Sequence, residues 1–129
     1  LRCSPMKKSW LTVLSGIFVL TLISSPSISF ADAEDGAKLF KKRCGSCHST
    51  EAGKHKNGPS LAGIIGRKAG STDFAKYKGL KGSDVVWDDK NMDQFLANPK
   101  KFVGAKTMAY KLKKEDQRAV IIAYLKTLK

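Results

Sequence analysis

Cysteine is scarce in this chain, with only three in 129 residues. Three thiols cannot all pair with one another, so a scaffold held together by several disulfides is excluded. Acidic residues are also few, since 11 Asp and Glu stand against 24 Lys and Arg and leave a formal charge of +13. With 42% hydrophobic residues the chain is neither disordered nor collagen-like. We therefore expect one small compact domain that draws stability from another source, such as a bound cofactor.

The first 33 residues have the pattern of a secretory signal. Two lysines precede an apolar run from Trp10 to Ile23, and small residues follow it, with cleavage sites after Ala31 or Ala33. We predict that residues 1–33 are an N-terminal region and secretory signal. Residues 34–129 then form the functional domain.

A cleaved signal predicts a periplasmic protein without stable membrane insertion. No charge occurs from Ser9 to Ala31, so the same segment would anchor the protein in the membrane if it were retained. Met6 is the natural start of such a signal, which leaves open whether Leu1 to Pro5 belong to the product. The basic excess alone fits nucleic acid, an anionic membrane or an acidic protein face. Export disfavours nucleic acid and favours an acidic protein partner.

Helical patterns dominate the region after the signal. They cover about residues 34–44, more weakly 60–65, then 88–97 and 114–128. The third is expected to stop at Asn98-Pro99, because the residue before a proline disfavours helical geometry. No alternating run of strand length is present, so the domain is predicted to be all-α.

Cys44-Gly45-Ser46-Cys47-His48 is the C-x-x-C-H pattern of covalent c-type haem attachment. Two thiols at this spacing can form thioethers with the two vinyl groups on one edge of a porphyrin, and His48 then reaches the iron. The competing interpretations are a thioredoxin-like redox pair and part of a zinc site. The first lacks a preceding strand, and the second lacks a full set of four Cys and His ligands in a suitable arrangement. Haem attachment is therefore favoured.

An electron-transfer haem has a second axial ligand, usually Met or His. The candidates are Met92, Met108 and His55. Met92 falls in a helical pattern and is better explained as core, while His55 is too near His48 in sequence to reach the other haem face easily. Met108 lies in an irregular stretch far enough along the chain to cross the porphyrin, so we choose Met108.

These residues resemble the class I cytochromes c of the mitochondrial and bacterial periplasmic long type. The resemblance covers essentially all of residues 34–129 and includes several motifs in the family's order. They are Gly36 with Phe40, Cys44 to His48, Gly53 to Leu61, Ile65 to Lys68, Trp87, Asn98 to Lys101, Met108 to Tyr110, and Ile122 to Lys126. It implies short helices and loops wrapped around one covalently bound haem c.

The resemblance also implies roles for individual residues. Pro59 corresponds to the residue whose carbonyl accepts the ring N–H of His48. Arg67 and Trp87 correspond to the partners of a buried haem propionate. His55 corresponds to a histidine that makes a structural hydrogen bond. The helix contact expected of the family joins Gly36 and Phe40 to Tyr124.

The chain departs from the family near its axial methionine. Gly104-Ala105-Lys106-Thr107 replaces the usual Pro-Gly-Thr-Lys, and Phe95 stands where many relatives have a tyrosine. The segment from Ser71 to Asp84 aligns poorly, so neither Phe74 nor Tyr77 is given a propionate role.

With His48 and Met108 on the iron, no open coordination site remains, and the expected function is one-electron transfer rather than catalysis. The resemblance implies a monomeric carrier between a quinol:cytochrome c oxidoreductase and a terminal oxidase or photosynthetic reaction centre. Basic residues around the haem edge would steer it to acidic docking faces of those membrane complexes. They are Arg43, Lys54, Lys56, Lys100, Lys101, Lys113 and Lys114. The alternatives are a peroxidase-like haem enzyme with a displaceable Met108, and a thiol or zinc binding module.

Overall fold

A computed structural model describes residues 29–103 and 107–129, and within them the chain is helical. Its helices are α1 (Phe30–Arg43), α2 (Asp89–Ala97), α3 (Pro99–Val103) and α4 (Glu115–Leu125). The described residues contain no strand, only an isolated antiparallel bridge between Lys68 and Val86. The predicted all-α class is confirmed. None of the described helices has the length and apolarity needed to cross a membrane, and the charged and apolar parts of the predicted signal lie outside the described residues.

Helix α1 begins four residues earlier than the sequence pattern predicted. The Ser29 side chain caps the first turn, and the Asp32 carboxylate accepts a hydrogen bond from the Ser29 backbone N–H in return. Such a capping box satisfies backbone donors that the helix leaves without partners, which explains the earlier start. The predicted cleavage positions after Ala31 and Ala33 therefore lie in the first turn of α1.

Helix α2 occupies nearly the predicted span, because Asp88 caps it and its last turn ends at Asn98. The chain does not leave helical geometry for long, since Pro99 opens the short helix α3. A proline is well suited to the first position of a helix, where its missing N–H costs no hydrogen bond. The sequence pattern predicted the stop before Pro99 but not the new helix that begins there.

The helix that a weak pattern predicted at 60–65 is wrong, because this stretch forms turns. Gly63 adopts a positive φ of 57°, which interrupts a right-handed helix. The backbone carbonyls of Ser60 and Ala62 accept hydrogen bonds from the Arg67 guanidinium. A tertiary contact thus satisfies the carbonyls that a helix would have used.

Helices α1 and α4 pack against each other at Gly36. A Cβ added there would overlap the Val120 carbonyl oxygen and lie 2.7 Å from the Tyr124 Cβ. The close approach brings the centroids of the Phe40 and Tyr124 rings to 5.3 Å, which is the contact that the family resemblance implied. On the rest of α4, Ile121 and Leu125 are buried. Ile122 and Ala123 are also buried, because α4 packs on α2 as well as on α1.

Candidate functional site

A cavity of about 370 Å³ lies inside the shell of helices and loops. Its walls are mainly apolar, with a few polar groups at defined places, which is typical of a site for a large cofactor. The predicted site residues all line this one cavity: Cys44, Cys47, His48, Pro59, Arg67, Trp87 and Met108. Segments far apart in the sequence thus converge on a single site.

The two cysteines lie in the turn that ends α1. Cys44 is the C-cap of the helix, and its carbonyl accepts hydrogen bonds from the N–H groups of Cys47 at 3.0 Å and His48 at 2.9 Å. Lys56 steadies the turn by donating to the Gly45 carbonyl at 2.6 Å. Both thiols are free, Cys44 half-buried and Cys47 exposed. Burial, reinforced by the neighbouring Cys47, raises the pKa of the Cys44 thiol to about 11.

The imidazole of His48 is fixed in one orientation. Its Nδ1–H donates to the Pro59 carbonyl at 2.8 Å, which leaves Nε2 as the unprotonated ring nitrogen. Burial lowers the pKa of His48, and the nearby Lys56 lowers it further against the opposing effect of the Pro59 bond. The ring is therefore neutral at physiological pH, with a lone pair on Nε2. This is the state in which histidine binds a metal.

Gly58 makes room for this ring. A Cβ at Gly58 would overlap the His48 Cε1 atom and lie 2.7 Å from Nδ1 and 2.9 Å from Nε2. Because Gly58 has no positive φ, its backbone does not require glycine. Glycine is required at this position because the imidazole of His48 leaves no room for a side chain. The Gly58 N–H also donates to the Cys47 carbonyl at 2.8 Å, which ties this loop to the attachment turn.

Three candidates for a second metal ligand occupy different places. Met108 lines the large cavity together with His48. Met92 is buried on α2 and borders a smaller adjoining cavity of about 50 Å³ but not the large one. His55 borders neither: its Nδ1 accepts the Ser60 N–H at 3.0 Å, so Nε2–H donates to the Asp73 carboxylate at 2.6 Å. Among the three, Met108 alone pairs a sulfur ligand with the large cavity.

Arg67 and Trp87 also line the cavity. The Arg67 guanidinium donates to the carbonyls of Ala62 at 2.7 Å and Ser60 at 3.0 Å. Burial lowers the pKa of Arg67, while Tyr77 opposes that shift. A cation held at a partly buried position favours a carboxylate beside it. A guanidinium among the lining residues fits the expected partner of a haem propionate.

Two aromatic residues of the cavity wall were not predicted from the sequence, Phe74 and Tyr77. Both line the cavity, and their rings meet edge to face with centroids 5.2 Å apart. The Tyr77 hydroxyl is held by a 2.6 Å hydrogen bond to Thr72 Oγ1. Aromatic side chains in an otherwise Gly- and Lys-rich loop were the available signal, because such residues seldom remain exposed without a reason.

The residues present fit a covalently attached haem. The two thiols at the attachment spacing match the vinyl edge of the group, and the neutral imidazole held by a backbone carbonyl matches its iron. The Arg67 guanidinium among the lining residues matches its propionates. The space that Gly58 leaves for the imidazole is part of the same arrangement. Within the described part of the chain, no cluster of three or more His, Cys, Asp or Glu is placed to hold a metal ion.

Comparisons with known proteins agree with this geometry. A sequence profile described as Cytochrome c matches residues 33–129. A cytochrome c of Theileria annulata is 48% identical over 97 residues, which cover 74% of this chain and 84% of the relative. One from Euglena viridis is 44% identical over 100 residues, with coverages of 76% and 98%. A cytochrome c type-1 of Ascaris suum is 42% identical over 102 residues, with coverages of 78% and 91%. The profile match spans every residue that lines the cavity.

Proposed function

The chain belongs to the cytochrome c family and carries a single covalently attached haem c, and from this premise we propose that it is an exported one-electron carrier. In this proposal Cys44 and Cys47 hold the haem through thioethers, while His48 and Met108 ligate the iron. The haem supplies a one-electron exchange between the ferric and ferrous states. With His48 and Met108 both holding the iron, no position on it would remain for a substrate, and the protein would act as a carrier rather than an enzyme.

The observation that carries the ligand assignment is the state of His48. Its Nδ1–H bond to the Pro59 carbonyl fixes the tautomer and increases the basicity of Nε2. Burial lowers the pKa of His48, so the ring is neutral at physiological pH and Nε2 is available as a ligand. The Met108 thioether lines the same cavity as His48. A thioether ligand in an apolar pocket favours the ferrous state of a haem iron.

We propose that the basic residues named above form a docking rim around the exposed edge of the haem. All seven side chains are exposed: Arg43, Lys54, Lys56, Lys100, Lys101, Lys113 and Lys114. Lys54 forms a surface ion pair with Glu51, and Lys56 binds a backbone carbonyl. Exposed charges add more to the rate of association than to affinity, which suits a carrier that must leave its partner quickly. The proposed partners are acidic faces of membrane complexes that oxidise quinol or reduce a terminal acceptor.

The docking proposal is tested by electron-transfer rates at increasing ionic strength. Added salt should slow the reaction with an isolated quinol:cytochrome c oxidoreductase, because it screens the rim from the partner. Lys100→Gln should slow the low-salt rate. Lys90→Gln, which removes an exposed lysine of α2 outside the rim, should leave the rate nearly unchanged. Equal effects of the two substitutions, or rates independent of salt, would contradict the proposed rim.

We also propose that the predicted signal directs the protein to the periplasm and is removed. Cleavage after Ala31 or Ala33 removes Ser29 and its capping contact, which leaves the acids of the first turns to support the start of α1. The mass of the protein recovered from a periplasmic extract tests this. A mass that includes one haem and residues from 32 or 34 onward supports export with cleavage. A full-length chain found in the membrane fraction would instead support a retained anchor.

The same preparation distinguishes the alternative of a haem enzyme. Rapid binding of cyanide to the ferric protein and steady turnover of peroxide would indicate a displaceable Met108. Slow cyanide binding supports the carrier.

A further inference from the structure

Arg118, on the first half of α4, connects three parts of the molecule. Its Nε donates to the Asp93 carboxylate on α2 at 2.6 Å, and a second nitrogen lies 3.5 Å from the other carboxylate oxygen. The remaining terminal nitrogen donates to the carbonyls of Leu112 at 3.1 Å and Lys113 at 2.8 Å. The Arg118 side chain is only 11% exposed. One guanidinium thus joins α4, α2 and the segment that leads away from Met108.

That segment has a second fixed point at the same place. The Leu112 N–H donates to the Leu96 carbonyl of α2 at 2.9 Å, and the Leu112 side chain is buried. Leu112 follows Met108 by only four residues. Since a chain of four residues has a short reach, the place where Leu112 and Lys113 are held limits where the Met108 sulfur can lie.

We propose that Arg118, oriented by Asp93, is a positioning residue that keeps the Met108 sulfur on the haem iron. Arg118 does not touch the cavity. It acts through the backbone of Leu112 and Lys113, and holding that backbone in place restricts the movement by which the methionine segment would leave the haem. A planar guanidinium can hold a carboxylate and two carbonyls at once, which a lysine ammonium cannot reproduce with the same geometry. The inference depends on the proposed ligation by Met108.

A second ion pair of the same helices provides a matched control. Lys126, near the end of α4, donates to the Asp89 carboxylate of α2 at 2.7 Å. Like the Arg118 pair, it ties α4 to α2. The described contacts of Lys126 do not include the segment from Met108 to Lys113. Loss of this pair therefore weakens the packing of the two helices without releasing the methionine segment.

The experiment measures how often the methionine leaves the iron in the ferric holoprotein. Imidazole is added at increasing concentration, and the decay of the far-red absorption band that reports sulfur-to-iron ligation is followed. The rate reaches a plateau when opening of the methionine segment becomes limiting. We expect Arg118→Lys to raise the plateau rate about tenfold, since opening no longer breaks the two carbonyl hydrogen bonds. Lys126→Met should change the plateau rate less than about twofold, because it removes no hydrogen bond to the methionine segment.

A second variant tests whether Asp93 and Arg118 act as one unit. Asp93→Asn keeps a hydrogen-bond acceptor but removes the charge that orients the guanidinium, so it should raise the plateau rate less than Arg118→Lys does. In the Arg118→Lys background, the same substitution should add little, because residues that share one interaction are not additive. If Arg118→Lys fails to fold, the plateau rate of Asp93→Asn alone still tests the proposed role of Arg118.

Two results would overturn the inference. One is an unchanged plateau rate in both Arg118→Lys and Asp93→Asn. The other is a rise in all variants, Lys126→Met included, in proportion to their loss of unfolding free energy, which would make Arg118 merely structural. Failure of the proposed ligation is recognised separately, because the wild-type ferric protein would then lack the far-red band before any imidazole is added.

Discussion

Replacing Gly36 with alanine sets two effects of opposite sign against each other. Gly36 lies inside α1, where alanine is favoured over glycine by about 1 kcal/mol because it loses less backbone entropy. It also faces α4, where the new Cβ would overlap the Val120 carbonyl and lie 2.7 Å from the Tyr124 Cβ. Ordinary carbon contacts are about 3.5–4.0 Å. The helices would have to separate by roughly 1 Å to accommodate the methyl group.

The cost of the overfilled helix contact should exceed the gain in helix propensity. Overfilling a close contact costs about 1–3 kcal/mol. Separation of the helices also weakens the Phe40–Tyr124 pair, whose centroids are 5.3 Å apart, and such a pair contributes about 0.5–1.5 kcal/mol. After the gain in helix propensity is subtracted, we expect Gly36→Ala to lower the free energy of unfolding of the holoprotein by about 2 kcal/mol.

Guanidinium unfolding of the holoprotein, followed by far-ultraviolet circular dichroism, measures this loss. Ala37→Gly is the control, because it reverses the propensity change at the next position of α1 and should cost about 1 kcal/mol. The two opposite exchanges should therefore both destabilise the protein. If Gly36→Ala were as stable as the wild type or more so, the proposed close contact between α1 and α4 would be wrong.

Two further predictions concern the attachment and the loop beyond it. Cys44→Ala and Cys47→Ala should each leave the haem bound by one thioether. A pyridine haemochrome spectrum detects this loss as a shift of its visible bands. Unshifted bands would contradict attachment through the cysteine that was replaced. The hydrogen bond from His55 lowers the pKa of Asp73 below its usual 3.8. The Asp73 carboxylate therefore stabilises the fold above that pH, and this stabilisation is lost as the pH falls through the lowered value. Asp73→Asn should destabilise the protein at neutral pH and reduce its loss of stability in acid, measured by unfolding at several pH values. Asp84→Asn, at the surface pair with Lys68, is the control, and an equal effect of both variants would exclude the His55 contact as the cause.

The parts of the fold that depend on local signals could be predicted from the sequence. Helix α2 has a capping aspartate at 88 and stops before Asn98, and both signals directly flank the helix in the sequence. The start of α3 at Pro99 could not be separated from a stop, because proline serves both purposes. The turns at 60–65 depend on Arg67 reaching back to the carbonyls of Ser60 and Ala62, a contact that no helical periodicity contains.

The candidate site also combines residues that a local motif predicts with residues that depend on contacts between distant parts of the chain. Cys44, Cys47 and His48 form a compact motif, so the attachment could be predicted from spacing alone. The positions of Pro59 and Arg67 followed from a family resemblance rather than from the chemistry of their neighbours. Tyr77 was missed because its place depends on the path of a loop with glycines at positive φ, among them Gly70 at 67°. The link from Arg118 to Asp93 spans 25 residues and has no signature in the sequence.

The most direct test of the whole account is the far-red absorption band of the ferric holoprotein, which reports a methionine sulfur on the haem iron. We predict that the wild type shows this band, that Met92→Leu retains it, and that Met108→Leu loses it. Met92 is the matched control because it is a buried methionine that does not line the large cavity. A wild-type protein without the band, or a Met108→Leu variant that keeps it, would contradict ligation of the iron by His48 and Met108.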